Sequence, residues 1–333
     1  MIVCRRFAQE PEIQRFLLQN SPSFFNKKEW FFVLQEGFQA PVQCYSLEDD
    51  AKIYLALPGI ILDFKMMKMF YSNIPYGGFV GEMEYLSAFL PLLEKSLKKD
   101  HIHFIRITQD SRTQFPELEG YRKEMAFTHL LDLDGMTEEL LWENYKKRVR
   151  RDVRKAEKSG VTVHEAIGPR EIDVLFDIYL ETMKRNEAYN TWTKKALCAI
   201  YDHLVQKGEA KILLAKLKEE IIAGIILIFS SDTTYYFFAA SNQKNLSLCP
   251  NDLLVHHGIC LTIAAKRRFF DLMASQREDV ALMNFKEKWG AQKYPFYFYE
   301  KSLNPFRTWM WKKAWWMMKT STGSQLMRWW RGR

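Results

Sequence analysis

Arg268-Phe269-Phe270-Asp271-Leu272-Met273, Phe285-Lys286-Glu287-Lys288-Trp289-Gly290-Ala291 and the aromatic run from Tyr294 to Tyr299 are the pieces on which the fold turns. The first is an apolar run bounded by charge and predicts a short buried strand. The second stops at a glycine and reads as a helix, and the third reads as another strand. Lys286 lies on the helix of this strand-helix-strand closure. The same order occurs earlier, with His101 to Ile107, a short helix near Pro116 to Tyr121, and Phe127 to Leu133. An amphipathic helix precedes each copy, Glu82 to Lys99 in one and Asn251 to Arg267 in the other. Two related α/β units in tandem are expected.

A chain of 333 residues with 47% hydrophobic content and 24 phenylalanines is long enough for two domains with sizeable cores. The five cysteines (Cys4, Cys44, Cys198, Cys249, Cys260) are odd in number and scattered, with no C-x-x-C, which fits a reducing compartment. His256 and His257 are adjacent and no H-E-x-x-H occurs, so no metal site is expected. Met1 to Cys4 runs into Arg5-Arg6 without the apolar core of a leader. The uncharged run Ile221 to Ser231 is short of the roughly 20 residues that span a bilayer. A cytoplasmic location is expected.

The net charge of +8 belongs to the last 33 residues. Residues 301–333 hold eight basic side chains and no acidic one, which leaves the rest of the chain neutral. Six of the ten tryptophans are there too: Trp309, Trp311, Trp315, Trp316, Trp329 and Trp330. Met310, Trp311, Ala314 and Trp315 share a helical face with Lys312 and Lys319 opposite. Such a helix either lies on an anionic membrane, at the inner face of the plasma membrane, or packs its tryptophans on the second unit.

In the body, Trp30 to Val33, Pro41 to Ser46, Ile53 to Leu57 and Met66 to Tyr71 read as strands of one sheet. Tyr76-Gly77-Gly78 follows Pro75 and predicts an irregular strand or bulge that brings backbone amides near a ligand. A long helix is expected from Thr137 to Ser159, capped by Thr137 and stopped by Gly160. Its second half carries eight cations in thirteen residues against Asp152 and Glu157. Arg150, Arg154 and Lys158 form a stripe at four-residue spacing, suited to phosphate. Then come strand Val161 to Glu165, helices Arg170 to Arg185 and Thr193 to Gln206, and a meander of Ala210 to Lys216, Ile221 to Phe229 and Thr233 to Ala240. Ala223-Gly224 inside the central strand predicts a bulge or a close backbone approach.

This order of elements is that of a GNAT-type acyltransferase unit, and the chain over residues 30–300 resembles the FemABX-like proteins, which are tandem GNAT-fold transferases. Arg150 to Val161 is similar to the basic helix of that family, and Phe285 to Ala291 to its late lysine motif. Ala223-Gly224, Phe270-Asp271, Tyr179 and Arg185 also fall in place. The resemblance implies an α/β fold of two GNAT-like units with mixed central sheets, at 1–135 and 136–300, followed by a basic, Trp-rich tail at 301–333. It also implies transfer of an aminoacyl group from aminoacyl-tRNA to an amine of a nucleotide- or lipid-linked peptidoglycan precursor, with no metal or redox cofactor. By the resemblance Arg150 and Arg154 would hold phosphates; Lys158 joins them through its place on the stripe, and Tyr76, Gly77, Gly78, Tyr179, Arg185 and Tyr236 are expected as further substrate contacts. Lys286 would face the reacting ester, and Asp271 is either a base or a structurally satisfied carboxylate. No heptad insertion interrupts the second unit, and Val33-Leu34-Gln35 lacks the lysine expected after the early tryptophan.

Two other readings stand. One is acyl-CoA-dependent acylation of an amino sugar in envelope polysaccharide, although the connection Ser241 to Asn251 has no glycine to cradle a pyrophosphate. The other is a silent scaffold that holds RNA or lipid through its basic segments.

Overall fold

The computed structural model describes residues 2–21, 23–50, 52–109, 116–188, 191–275 and 279–319, with side chains up to residue 314 apart from 109. The first repeat comprises β1 (Ile2–Phe7), α1 (Pro11–Asn20), α2 (Lys28–Phe38), β2 (Val42–Glu48), β3 (Ile53–Asp63), β4 (Lys68–Gly77), β5 (Val80–Gly81), α3 (Leu86–Lys99), β6 (Phe104–Gln109) and β7 (Arg122–Asp132). Helices α4 (Glu138–Asn144) and α5 (Lys147–Lys158) follow. The second repeat comprises β8 (Val161–Glu165), α6 (Pro169–Arg185), α7 (Lys194–Ile200), β9 (Ala210–Leu217), β10 (Glu220–Phe229), β11 (Thr233–Ser241), α8 (Pro250–Ala264), β12 (Phe269–Ser275), α9 (Val280–Glu287) and β13 (Gln292–Ser302). Helix α10 (Pro305–Lys319) ends the described chain.

Two compact units form, and they interleave along the sequence. One holds residues 1–26, 40–124 and 297–333, and the other 27–39 and 125–296, so the division departs from a linear cut at 135 and 300. In the first unit the strand order is β1-β2-β3-β4-β6-β13, and in the second β8-β9-β10-β11-β12-β7. Each sheet is mixed, because β4 runs parallel to β6 and β11 parallel to β12 while their other pairings are antiparallel. Each repeat ends with a strand that completes the sheet begun by the other: β7 pairs β12, and β13 pairs β6.

Helix α2 sits in the second unit for a packing reason. Trp30, Phe31, Val33 and Leu34 are fully buried, and the Trp30 ring meets Trp192 at 6.3 Å and Phe237 at 5.2 Å. The strand expected at Trp30 to Val33 is therefore a helix: burial at i, i+1, i+3 and i+4 is a helical stripe that four apolar residues alone do not distinguish from a strand. Two further expectations are corrected. Residues 116–121 make a turn at Glu119–Gly120 and no helix. The long helix from Thr137 is two helices, broken where Tyr145 takes an extended backbone with φ −63° and ψ 136°. Thr137 does cap α4 by accepting from Leu140 N, and Gly160, at φ +79°, follows the end of α5.

The antiparallel meander β9-β10-β11 is present as expected, with a register shift between Ile221 and Ala223. Gly224 is where α6 comes down on β10: a Cβ there would stand 2.6 Å from Leu175 Cδ1 and 2.9 Å from Leu214 Cδ2. Gly224→Val is expected to cost about 1–3 kcal/mol through overpacking. Urea unfolding would show a lower midpoint at unchanged slope, and an unchanged midpoint would refute the close approach.

Candidate functional site

The second unit concentrates its ionisable chemistry at the β7–β12 pairing and on α5. Along β12 the register with β7 shifts between Asp271 and Ala274, and Met273 takes the left-handed φ of +65°. This bulge turns two successive carbonyls, Met273 O and Ala274 O, toward α9, where Lys286 Nζ donates to both at 2.9 Å. Asp271 braces the bulge from inside: its Oδ1 accepts from Met273 N at 2.7 Å and from Thr128 Oγ1 at 2.5 Å. The Asp279 side chain caps α9 by accepting from Leu282 N.

Lys286 is 3% exposed, so a solvated helix lysine is excluded. Burial pushes its pKa down to about 8, while the carboxylates of Asp271 and Asp279 pull the other way. Two carbonyls use two of its three N–H donors. Beside it lies His129 on β7, fully buried, with neither ring nitrogen hydrogen-bonded among the described residues. Burial and then the Lys286 charge lower the His129 pKa to about 4, so the imidazole stays neutral and offers one donor and one acceptor. Sequence reasoning missed His129, and its only signal is a titratable residue within the apolar run Phe127 to Leu133.

Helix α5 buries Val149, Val153 and Ala156 and turns its cations outward. Lys147, Arg148, Arg150, Arg151, Arg154, Lys155 and Lys158 line an open groove of about 1000 Å³ with Trp142 and Ser159. Arg150 Nη1 donates to the carbonyls of Trp142 at 3.4 Å and Glu143 at 3.1 Å, satisfying the last turn of α4. Arg154 lies over the Trp142 ring at 5.2 Å. Lys286 does not line this groove. Trp289, three residues beyond Lys286, packs on Tyr145 at 5.5 Å, and Tyr145 on Trp142 at the groove wall at 5.9 Å.

The other sequence candidates are spent on packing and internal bonds. Tyr179, 3% exposed, accepts at its hydroxyl from Thr191 N and Trp192 N. Arg185 donates to Ser241 O at 2.8 Å, and Tyr236 lies in the core facing Phe270. In the first unit Tyr76 is 2% exposed against Phe25, and Gly77 follows a register shift in β4 where a Cβ would meet Ser72 O at 1.9 Å. Gly78 has φ +109°. The irregular strand expected there is present.

Asp152, Cys249 and Asp252 bring ligand atoms within 4.8 Å of one another. Lys288 bonds Asp252, and Arg151 and Arg148 engage Asp152, which makes the cluster an ion-pair network. Asp252 stands in the first turn of α8, so the helix start that could receive a phosphate already carries a carboxylate.

Residues 143–287 match the family model described as an acetyltransferase (GNAT) domain. No curated protein matches the sequence. Among solved structures the chain is similar to FemX, with 15% identity and a TM-score of 0.62 over 89% of this chain and 97% of that one. It is similar to a tandem GNAT protein from the clavulanic acid biosynthesis pathway, with 11% identity and a TM-score of 0.62 over 91% and 98%. It is also similar to L-PGS from Bacillus licheniformis, with 13% identity and a TM-score of 0.58 over 87% and 91%. The fold is thus the tandem GNAT fold implied by the FemABX-like resemblance, and the match to the GNAT domain model lies within the second unit.

The burial of Lys286 has a signed consequence. Its folded pKa of about 8 lies below the unfolded value near about 10.4, so between those values the unfolded chain binds more protons and stability rises with pH. Compared with Lys286→Met, the wild type is expected to gain up to about 3 kcal/mol across that window and nothing below it. A pH-independent difference in urea stability between the two proteins would refute the assignment.

Proposed function

We propose that this tandem GNAT chain moves an aminoacyl group from aminoacyl-tRNA to an amine of a nucleotide- or lipid-linked envelope precursor, forming an amide. The α5 groove carries this reading. Seven cations and one indole along an open channel suit a long polyanion with stackable bases better than a compact pyrophosphate. The likeness of fold to FemX and L-PGS supports the same direction.

In the proposed reaction the amine nitrogen attacks the ester carbonyl carbon, and the C–N bond forms as the carbonyl electron pair moves onto oxygen. The tetrahedral oxyanion then collapses, the C–O bond breaks, and the departing ribose oxygen takes the proton that the amine gives up. Lys286 would present its third N–H to the oxyanion, worth about 3–4 kcal/mol by comparison with other single donors. Juxtaposing the two substrates supplies about 7–11 kcal/mol more. Asp271 acts as a positioning group, since its Oδ1 is committed to the bulge. His129 would orient a bound group through its neutral ring.

Acyl-CoA is the weaker donor reading, because the connection Ser241 to Asn251 that leads into α8 has no glycine to cradle a pyrophosphate.

Offered labelled aminoacyl-tRNA and labelled acyl-CoA in parallel with amine-bearing envelope precursors, the protein is expected to transfer label from the tRNA alone. Transfer only from acyl-CoA, or from neither, would overturn the proposal. Lys286→Met is expected to lower the rate at least about 100-fold with unchanged tRNA affinity. Lys155→Ala with Lys158→Ala should weaken tRNA binding about tenfold and flatten its salt dependence by one to two contacts, about 0.7 in slope for each.

A further inference from the structure

The turn between β3 and β4 and the first half of α10, both in the first unit, build a surface that the acyl-transfer reading leaves unused. Asp63 pairs with Lys68 across the hairpin. The chain between them closes through Phe64 N to Met67 O at 3.0 Å and Met66 N to Phe64 O at 2.7 Å, with Lys65 left-handed at φ +63°. Met67 points inward and is fully buried, whereas Phe64 and Met66 at the tip are 45% and 50% exposed.

Helix α10 is fixed beside this tip. Arg307 Nη1 donates to Met66 O at 3.1 Å. The Trp311 ring lies 5.0 Å from Phe64 and packs against Met67, Met69 and Phe104. Part of the tail thus packs on the first unit, whereas the packing alternative placed it on the second. Two rings of the same helix face solvent: Phe306 is 67% and Trp309 54% exposed, and they stack 6.4 Å apart at 24°. Lys313 Nζ stands 4.3 Å from the centre of the Trp309 ring.

Scattered exposed apolar residues are ordinary, but four large ones at a hairpin tip and the helix beside it mark a binding face. The charge says what it binds. Lys65, Lys68, Arg307, Lys312 and Lys313 accompany the four, against Asp63, and residues 301–333 add no acid. Aromatic rings at headgroup depth beside cations are the chemistry of an anionic bilayer surface. No helix among the described residues is long and apolar enough to cross a membrane, so contact from this patch would be peripheral.

We infer that the β3–β4 tip and α10 dock together on anionic lipid, with Phe64, Met66, Phe306 and Trp309 entering the headgroup layer and the flanking cations meeting the phosphates. This inference goes beyond the acyl-transfer reading and does not depend on it. The hairpin is the discriminating part, since a basic tryptophan-rich helix alone does not require it.

The full chain, co-sedimented with vesicles of phosphatidylcholine alone or mixed with phosphatidylglycerol, is expected to bind the mixed vesicles at least about tenfold more tightly. Met66→Ser and Trp309→Ser should each weaken that binding about tenfold, with an unchanged melting temperature. Lys312→Glu with Lys313→Glu should remove the preference for anionic lipid. If Met66→Ser lowers the melting temperature, Lys65→Glu at the same tip carries the test and should also weaken binding. Equal binding to both vesicle types would overturn the inference. So would loss of binding in Trp309→Ser while both tip variants bind normally, because the helix would then act alone. A doubled mass in light scattering that Met66→Ser abolishes would assign the face to a second copy of the chain and also overturn it.

Discussion

One hydrogen bond, from Thr128 Oγ1 to Asp271 Oδ1 at 2.5 Å, ties the β7–β12 pairing to the position of Lys286. A left-handed residue that is not glycine costs about 1–2 kcal/mol, and Met273 is such a residue. The Asp271 carboxylate offsets that cost by accepting from Met273 N. It is held in turn by a threonine on β7, the last strand of the first repeat. The bulge faces two carbonyls into a buried space, and only a strong donor satisfies both. Lys286 is that donor, and the strand exchange between repeats is what builds its seat.

The parts of this arrangement visible in the sequence are those set by local pattern. The meander of β9 to β11, the stop after α5 at Gly160, the tight approach at Gly224 and the β12-α9-β13 closure each follow from residues close together in the chain. The missed parts depend on partners far away. Residues 30–33 are a helix because Trp192 and Phe237 receive Trp30, and four apolar residues cannot announce that. The break after α4 is made by Tyr145, whose ring is held by Trp289 and His256, more than a hundred positions on.

The candidate residues are named in the sequence, and their environment is not. The family resemblance names Lys286 and Asp271, and their partners are two backbone carbonyls, a backbone amide and the hydroxyl of Thr128 far away in the chain, none of which carries a local sequence signal. His129 is the converse case. It is buried 3.8 Å from Glu287 and close to a lysine, and neither fact is local to the strand that carries it. Tyr179 and Arg185, picked out by the family resemblance, anchor the segment at 191–192 and the end of β11. Positions shared within a fold can reflect its packing as much as its chemistry.

The cations of α5 divide into two kinds, and the division bears on what the groove can hold. Arg150 is committed to α4 carbonyls, Arg151 to Asp152, and Arg154 to the face of Trp142. Arg150 and Arg154 are oriented before any ligand arrives, so engaging them costs little side-chain entropy, whereas Arg151 is 70% exposed in its ion pair. Lys155 and Lys158 are solvated on the outer face and adapt to whatever passes. A compact anion is best gripped by converging fixed donors. A stacked platform flanked by adaptable lysines tolerates a backbone of variable path, which is the physical difference between recognising a pyrophosphate and following a nucleic-acid strand.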